Sequence, residues 1–457
     1  MVQKFPWLAH GHIFPFLEPA KRLSRRNFTI YLCSTSVNLD SIKNSKKKDS
    51  FYDDIFIKLV ELHIPSLVEL PPRFHTDKNL PFNLLPSLLK AFQMSSSSFS
   101  NILSSINPDL LIYDMVQLTW SKLRAYTRKK FGILNLINVE LEECVRIVCL
   151  APKIASSKGI PSIYFATLGA VLFSFYHHVH MMGDGLTFPY PAIYLLDREI
   201  MLPYLKDADD DFALGNLKMS CEIVLMKSLV PTGPLIVDSN DYDHEEFSKI
   251  MKLLSGKSRY STVYISFGSE YFLSKKQIVE IAKALELCGV NFIWVVRFPG
   301  DEKMIGIECA FLIEFLERVQ MKGLIVPGVS GFISHCGWSS VMKSMYFGVP
   351  IKAMPIKSEQ PINARLVVEA GVGVEVERES GGLYVREKIA KAINKVIVEK
   401  EFCEDTRNRT KKLSEKIKEK EKQDMNETTM DLLKICMKNK LQGAKSSSKG
   451  GRGGGGK

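Results

Sequence analysis

Short β-branched and aromatic runs alternate with helical patterns through most of the chain, and this alternation restricts the possible folds more than any other feature. In the first half the candidate strands are FPWLA, FTIYLCST, IKLVELHI, DLLIYD, SIYFAT and EIVLMKS. In the second they are TVYISFGS, FIWVVR, GLIV, GFISH, IKAMP and GVGVEVE. Strands separated by helices predict an α/β protein with parallel sheets covered on both faces. At 457 residues the chain exceeds one ordinary core. The Pro-, Gly- and acid-rich stretch VPTGPLIVDSNDYDHEE suits a linker near 230–245. The expected division is a first domain over 1–235, with an atypical insertion at 121–150, a second over 236–437, and a tail over 438–457. Helices are expected over 274–287, opening at Ser274, and over 385–399, where apolar residues recur every three or four positions. The tail KNKLQGAKSSSKGGRGGGGK has no apolar face to bury and is expected to be disordered.

The net charge of +11 raises the question of a polyanionic partner. Residues 121–150 carry six Lys or Arg against three Glu, and 438–457 carry six with no acid, so two short stretches hold nine of the eleven charges. The near-neutral remainder argues against a nucleic-acid footprint. The nine cysteines include no CxxC pair, which favours a reducing compartment over a disulfide or zinc framework. Pro6, His10, His12 and Pro15 interrupt the apolar N-terminus before a signal-peptide core is complete. No apolar run is long enough to span a bilayer, and a cytosolic protein without a membrane partner is expected.

The stretch GFISHCGWSSVMKSMYFGVP, residues 331–350, passes from an apolar strand through a turn of small residues into an amphipathic helix. In a doubly wound domain ligands bind outside the carboxyl ends of the strands, where helix N-termini point. A helix opening near Trp338 to Ser340 leaves several N–H groups without intrahelical partners and a partial positive charge. Ser339 and Ser340 add hydroxyls, and a phosphate or diphosphate is the natural ligand. The turn ISFGSE supplies Ser269 as a further donor. The alternative is that such turns serve only as tight connections.

The longer segment GFISHCGWSSVMKSMYFGVPIKAMPIKSEQPINARLV resembles the second half of the signature box of plant UDP-dependent glycosyltransferases. HCGW, FGVP and a closing Glu-Gln pair occur in that family's order and spacing. The similarity extends over nearly the whole chain, from FPWLAHGHIFPFLEPAKRL through IYFATLGA to GVGVEVERESGGL, and is strongest to the branch that adds a sugar to the sugar of a flavonoid, triterpenoid or lignan glycoside. The resemblance implies the GT-B fold: two doubly wound Rossmann-like domains facing across a cleft, the first for the acceptor and the second for the nucleotide sugar. It further implies that His335 binds the diphosphate, that Ser339 and Ser340 bind phosphate beside Gly337, and that Trp338 lies near the sugar. Glu359 and Gln360 would hold the sugar's hydroxyls. His12 would be the catalytic base and Asp114 its orienting carboxylate. The expected partners are a UDP-sugar co-substrate, UDP-glucose or UDP-rhamnose, and a small glycoside acceptor, with no metal, no other cofactor and a monomeric chain.

The chemistry makes these roles intelligible. An inverting transfer needs a base for the acceptor hydroxyl, and imidazole titrates in the right range. A carboxylate on the other ring nitrogen fixes the tautomer and stabilises the imidazolium. The leaving UDP gains negative charge, which helix-terminal N–H groups can stabilise. His10 is expected to be a loop neighbour rather than a second base. The triplet His177, His178 and His180 does not share one helical face, and DADDDF at 207–212 follows no strand, so neither is expected to hold a metal.

Four departures from the family pattern stand out. The Trp-Ala-Pro-Gln segment that opens the family's box has no counterpart in ERVQMKGLIVPGVSGFISHCGW, so the Trp that stacks on uracil is absent. Base stacking contributes roughly 1–3 kcal/mol. Lys343 stands where the family carries a ribose-binding Glu, and an ammonium cannot accept two hydroxyl donors. Residues 121–150 intrude between Trp120 and Ala151-Pro152, and a helix is missing before Val230-Pro231. Pro19 also falls inside the first expected helix, at a cost relieved only by a kink. An insertion with two deletions is a pattern that exon-boundary error produces. The alternative reading is therefore a relative that keeps the fold but turns over weakly or only binds.

Overall fold

The computed structural model describes residues 1–46, 56–114, 150–195, 252–296, 329–397 and 400–450, leaving out positions 79, 82–83, 166, 168, 173, 176–177, 179–187, 253, 255, 258–259, 269–270, 272, 357–358 and 380–381 within those ranges. It divides into two compact units: Met1–Thr167 with Ala208–Leu235 and Glu421–Lys457, and Leu168–Asp207 with Ile236–Lys420.

The first unit is built on five parallel strands: β1 (Val2–Phe5), β2 (Ile30–Ser34), β3 (Ile57–Glu61), β4 (Leu110–Tyr113) and β5 (Ser162–Tyr164), in the order β3-β2-β1-β4-β5. Around it lie α1 (His10–Ser24), α2 (Ser36–Lys46), α3 (Leu85–Met94), α4 (Ser96–Ile106) and α5 (Leu150–Ser157). Strand β1 is VQKF, earlier than the FPWLA expected from the apolar pattern. Pro6 cannot donate to a ladder, and residues 6–9 instead form the connection into α1. Gln3 and Lys4 are nevertheless buried, and Lys4 Nζ donates to the carbonyl of Phe16 at 3.2 Å. His10 opens α1 rather than sitting in a loop, and the helix runs through both Pro15 and Pro19. Its apolar face, Ile13, Phe16, Leu17, Ala20 and Leu23, packs with Val2, Phe28, Ile30 and Leu110, and this burial offsets the two missing helical hydrogen bonds.

The second unit has β6 (Thr262–Ser266), β7 (Asn291–Val295), β8 (Gly331–Ser334), β9 (Ile351–Ala353) and β10 (Gly373–Glu375) in the parallel order β10-β9-β8-β6-β7. Its helices are α6 (Lys275–Cys288), α7 (Trp338–Phe347), α8 (Gln360–Glu369), α9 (Arg386–Ile397) and α10 (Lys400–Gly450). Ser274 caps α6 as expected, with a full capping box to Gln277. Arg386, opening α9, makes a two-pronged ion pair with Glu280 of α6, at 3.1 and 2.7 Å, which fastens the two helices together. The core centres on Val263, Ile265, Trp294, Phe332 and Ile333, wrapped by Ile278, Ile281, Ile389 and Ile393.

Two features depart from the expected division. Residues 168–207 count with the second unit, and from Glu421 onward α10 counts with the first. Met425, Leu432, Ile435 and Cys436 lie on one face of α10 and enter the first unit's core, where Arg22 pairs with Glu421 and Arg26 donates to Asn426. The helix also runs through Gly450, so 438–450, expected to be disordered, is helical. Extending a helix already fixed by packing adds one hydrogen bond per residue without a new nucleus. The insertion at 121–149, the linker near 230–245, EIVLMKS, GLIV and DADDDF lie outside the described residues.

Candidate active site

In the first unit, β1 ends at Phe5 and the chain turns through Pro6-Trp7-Leu8-Ala9 into α1, placing His12 in the helix's first turn. Asp114 follows directly on β4, the strand paired with β1, so adjacent strands deliver the two side chains to the same edge. His12 Nδ1 lies 2.5 Å from Asp114 Oδ2. The other carboxylate oxygen accepts the backbone N–H of Trp7 at 2.6 Å, and the Asp114 side chain is 1% exposed. With both oxygens accepting, Nδ1 of the imidazole is the donor and Nε2 carries the lone pair. That is the tautomer a base needs for a proton presented by a substrate. Thr167, which the sequence reading did not single out, has its hydroxyl 3.5 Å from the same Nδ1. Burial first, and then the negative field of Asp114, push the pKa of the neighbouring Tyr164 phenol up, so it stays protonated beside the pair.

In the second unit, β8 ends at Ser334 and α7 begins at Trp338, as the turn predicts. Gly337 is the N-cap and provides no side-chain cap. The Ser340 and Val341 amides bond back to the Gly337 carbonyl, so the amides before them are the ones the helix itself leaves to a ligand. His335 lies over two glycines. A Cβ placed on Gly268 would fall 2.6 Å from His335 Nε2, and one on Gly337 would fall 2.7 Å from it. Gly268 also has φ +77, so only glycine suits that position on both counts. The ring of Trp338 packs in the same way on Gly169, where an added Cβ would meet it at 2.8 Å. Ser339 is exposed, and His335, Trp338 and Ser340 are half-buried.

Helix α8 begins at Gln360 with Glu359 as its N-cap. Gln360 is buried, and its Oε1 accepts the Ile356 N–H at 2.9 Å, so its amide NH₂ is the end suited to a ligand oxygen. Lys343 lies in α7, half-buried. Ser269, His177, His180 and the stretch 297–328, which covers the place of the uracil platform, lie outside the described residues. Among the described residues no group of three or more His, Cys, Asp or Glu could hold a metal ion. Five cysteines, Cys33, Cys288, Cys336, Cys403 and Cys436, are free thiols.

The chain as a whole is similar to known proteins. Residues 229–419 match the family model described as UDP-glucoronosyl and UDP-glucosyl transferase. UDP-glucosyltransferase 29 of Panax ginseng is 39% identical over 95% of this chain and 96% of its own. The chain belongs to the UDP-glycosyltransferase family. Beta-D-glucosyl crocetin beta-1,6-glucosyltransferase of Gardenia jasminoides is 38% identical, covering 93% of this chain and 96% of its own. Among solved structures, Glycyrrhiza uralensis UGT73P12, complexed with glycyrrhetinic acid 3-O-monoglucuronide, superposes with a TM-score of 0.75 at 21% identity, covering 98% and 97% of the two chains. That likeness shows the GT-B fold, which the two parallel-sheet units display. This UDP-glycosyltransferase is thus an enzyme of sugar transfer from a UDP-sugar donor to a small molecule. No described helix is long and apolar enough to cross a membrane.

Proposed function

We propose that this glycosyltransferase adds a sugar, with inversion at the anomeric carbon, to a hydroxyl of an acceptor that is already a glycoside, using His12 as general base. The observation that carries the reading is the His12–Asp114 contact of 2.5 Å, made on a carboxylate whose second oxygen is already taken by Trp7. A carboxylate held this way fixes the ring and stabilises the imidazolium that forms as the acceptor's proton moves to Nε2. The acceptor oxygen then attacks C1 of the donor, the C1–O bond to the diphosphate breaks, and UDP leaves with both electrons. His335, the hydroxyls of Ser339 and Ser340 and the first amides of α7 take up the developing charge. Glu359 and the amide of Gln360 orient the sugar, beside Trp338. No metal or further cofactor enters this scheme.

The acceptor class draws support from the names of the relatives, of which the Gardenia protein is a glucosyltransferase of beta-D-glucosyl crocetin. UDP-glucose and UDP-rhamnose are the proposed donors. The test is the stereochemistry of the product. With an α-linked UDP-glucose donor and a flavonoid or triterpenoid monoglucoside, proton NMR of the new anomeric centre is expected to show the β linkage. A retained α linkage would remove His12 from the role of base in a single displacement, and transfer to aglycones alone would overturn the acceptor class.

A further inference from the structure

The turn that approaches the donor is held in an unfavourable backbone conformation by a side chain from a different helix. Cys336 has φ +63, the left-handed region that is unfavourable for a residue with a Cβ. Its surroundings specify that geometry. The Cys336 N–H donates to Ser334 Oγ at 3.0 Å, and its carbonyl accepts from Asn363 Nδ2 at 3.0 Å. Ser334 and Cys336 are fully buried and Asn363 is 1% exposed, so no solvent competes for these bonds. The orientation of the amide follows from chemistry, because Oδ1 in that place would face the carbonyl oxygen.

Asn363 lies on α8, one turn after Glu359, whose carbonyl accepts the Asn363 N–H at 3.2 Å. The helix that opens with the proposed sugar-reading pair therefore also sends a side chain to the peptide between Cys336 and Gly337. In a trans peptide the C=O and the following N–H point in opposite directions. A Cys336 carbonyl turned inward onto Asn363 sends the Gly337 N–H the other way, out of the core. Reversing this one peptide would bring a carbonyl oxygen to the face where a diphosphate is expected, and a carbonyl repels what an N–H attracts.

We propose that Asn363 is a positioning residue of the donor site: it sets the direction of the Cys336–Gly337 peptide and thereby links the diphosphate turn to the sugar-reading start of α8. This rests on the donor reading given above. Its side chain touches neither sugar nor phosphate, and it acts through the backbone of the turn.

The test is calorimetric titration of UDP into the wild-type protein, Asn363→Asp and Asn363→Ala, with steady-state kinetics for donor and acceptor. Ionised Asp keeps the shape but cannot donate, so two acceptors face each other and the peptide is expected to reverse. Ala leaves room for a water to donate in place of the amide. The expected result is a UDP Kd raised at least about tenfold in Asn363→Asp and by a smaller factor in Asn363→Ala. KM for the donor is expected to rise while KM for the acceptor stays within about twofold. A purely structural residue would lower the Tm of the free protein and leave the Kd of the folded fraction unchanged, and that outcome overturns the proposal. If Asn363→Asp does not fold, an unchanged UDP Kd in Asn363→Ala overturns it equally. Failure of the wild-type protein to bind UDP would instead overturn the donor reading.

Discussion

Replacing His12 by alanine is expected to lower kcat/KM for sugar transfer by a factor of about 10²–10⁴, the usual contribution of a positioned general base. The same variant is expected to bind UDP within about twofold of wild type, because the residues proposed for the diphosphate belong to the turn after β8 and to α7 and not to α1. Asp114 contacts His12, with one oxygen on the ring and the other on the Trp7 amide. Asp114→Asn should therefore lose rate in the same direction, since an amide placed there can favour the opposite tautomer. Steady-state rates with a glycoside acceptor, paired with UDP titration, check both halves. A His12→Ala enzyme with undiminished turnover would leave the pair with a purely structural role.

The second large effect concerns stability. Lys352, at the middle of β9, is fully buried between Ile333 of β8 and Val374 of β10. Its Nζ has no hydrogen-bond partner among the described residues, and it fills the space that a side chain on Gly331 would occupy. Burial lowers its pKa from 10.5 to about 7; the nearby Cys403 and Cys288 thiols favour the charged form weakly, and Arg407 opposes it. Between pH 7 and 10.5 the unfolded chain holds the proton that the native state has released, so stability rises with pH across that window. Below pH 7 both states are protonated and the full penalty of burying the charge is present. A shift of this size corresponds to about 5 kcal/mol.

Lys352→Met keeps the length of the side chain and removes the amine. It is expected to raise unfolding free energy near pH 7 by about 2–4 kcal/mol. Lys4 is also buried, with its pKa lowered to about 7 by burial, and it adds a second contribution of the same sign. The variant should thus lose about half of the gain in stability between pH 7 and 8.5. That range stays below the titration of free thiols in the unfolded chain, where the raised pKa of buried Cys33 and Cys336 would tilt the curve the other way. Denaturant unfolding at a series of pH values measures both quantities. A destabilised Lys352→Met protein would show that the amine has a partner essential to the fold.

Lys4 also marks where the sequence is hard to read. The position of β1 was obscured because Gln3 and Lys4 look like surface residues, and the apolar FPWLA drew the strand downstream of its place. A buried polar residue breaks the hydrophobic pattern by which strands are found. The same holds for the two prolines within α1, where core packing outweighs local preference. The course of α10 into the first unit depended on tertiary contacts at Met425, Leu432 and Ile435 that no local pattern announces.

By contrast, the strand-turn-helix at 331–347 was legible because the small residues, the strand before them and the helix after them agree at every level. His12 and Asp114 were found by resemblance, and the structure adds their contact and the part played by Trp7. Asn363 could not be found from sequence, since its meaning lies in a hydrogen bond to a residue 27 positions earlier. Gly268 signals itself only through φ and the imidazole lying over it.

The donor reading places a nucleotide's diphosphate on the opening of α7. A crystal of this protein grown with UDP tests it most directly. Phosphate oxygens within about 3 Å of the Ser339 amide, of the Ser339 or Ser340 hydroxyl and of the His335 ring are the predicted result. Diphosphate density anywhere else on the second unit, or His335 turned away from it, would contradict the account.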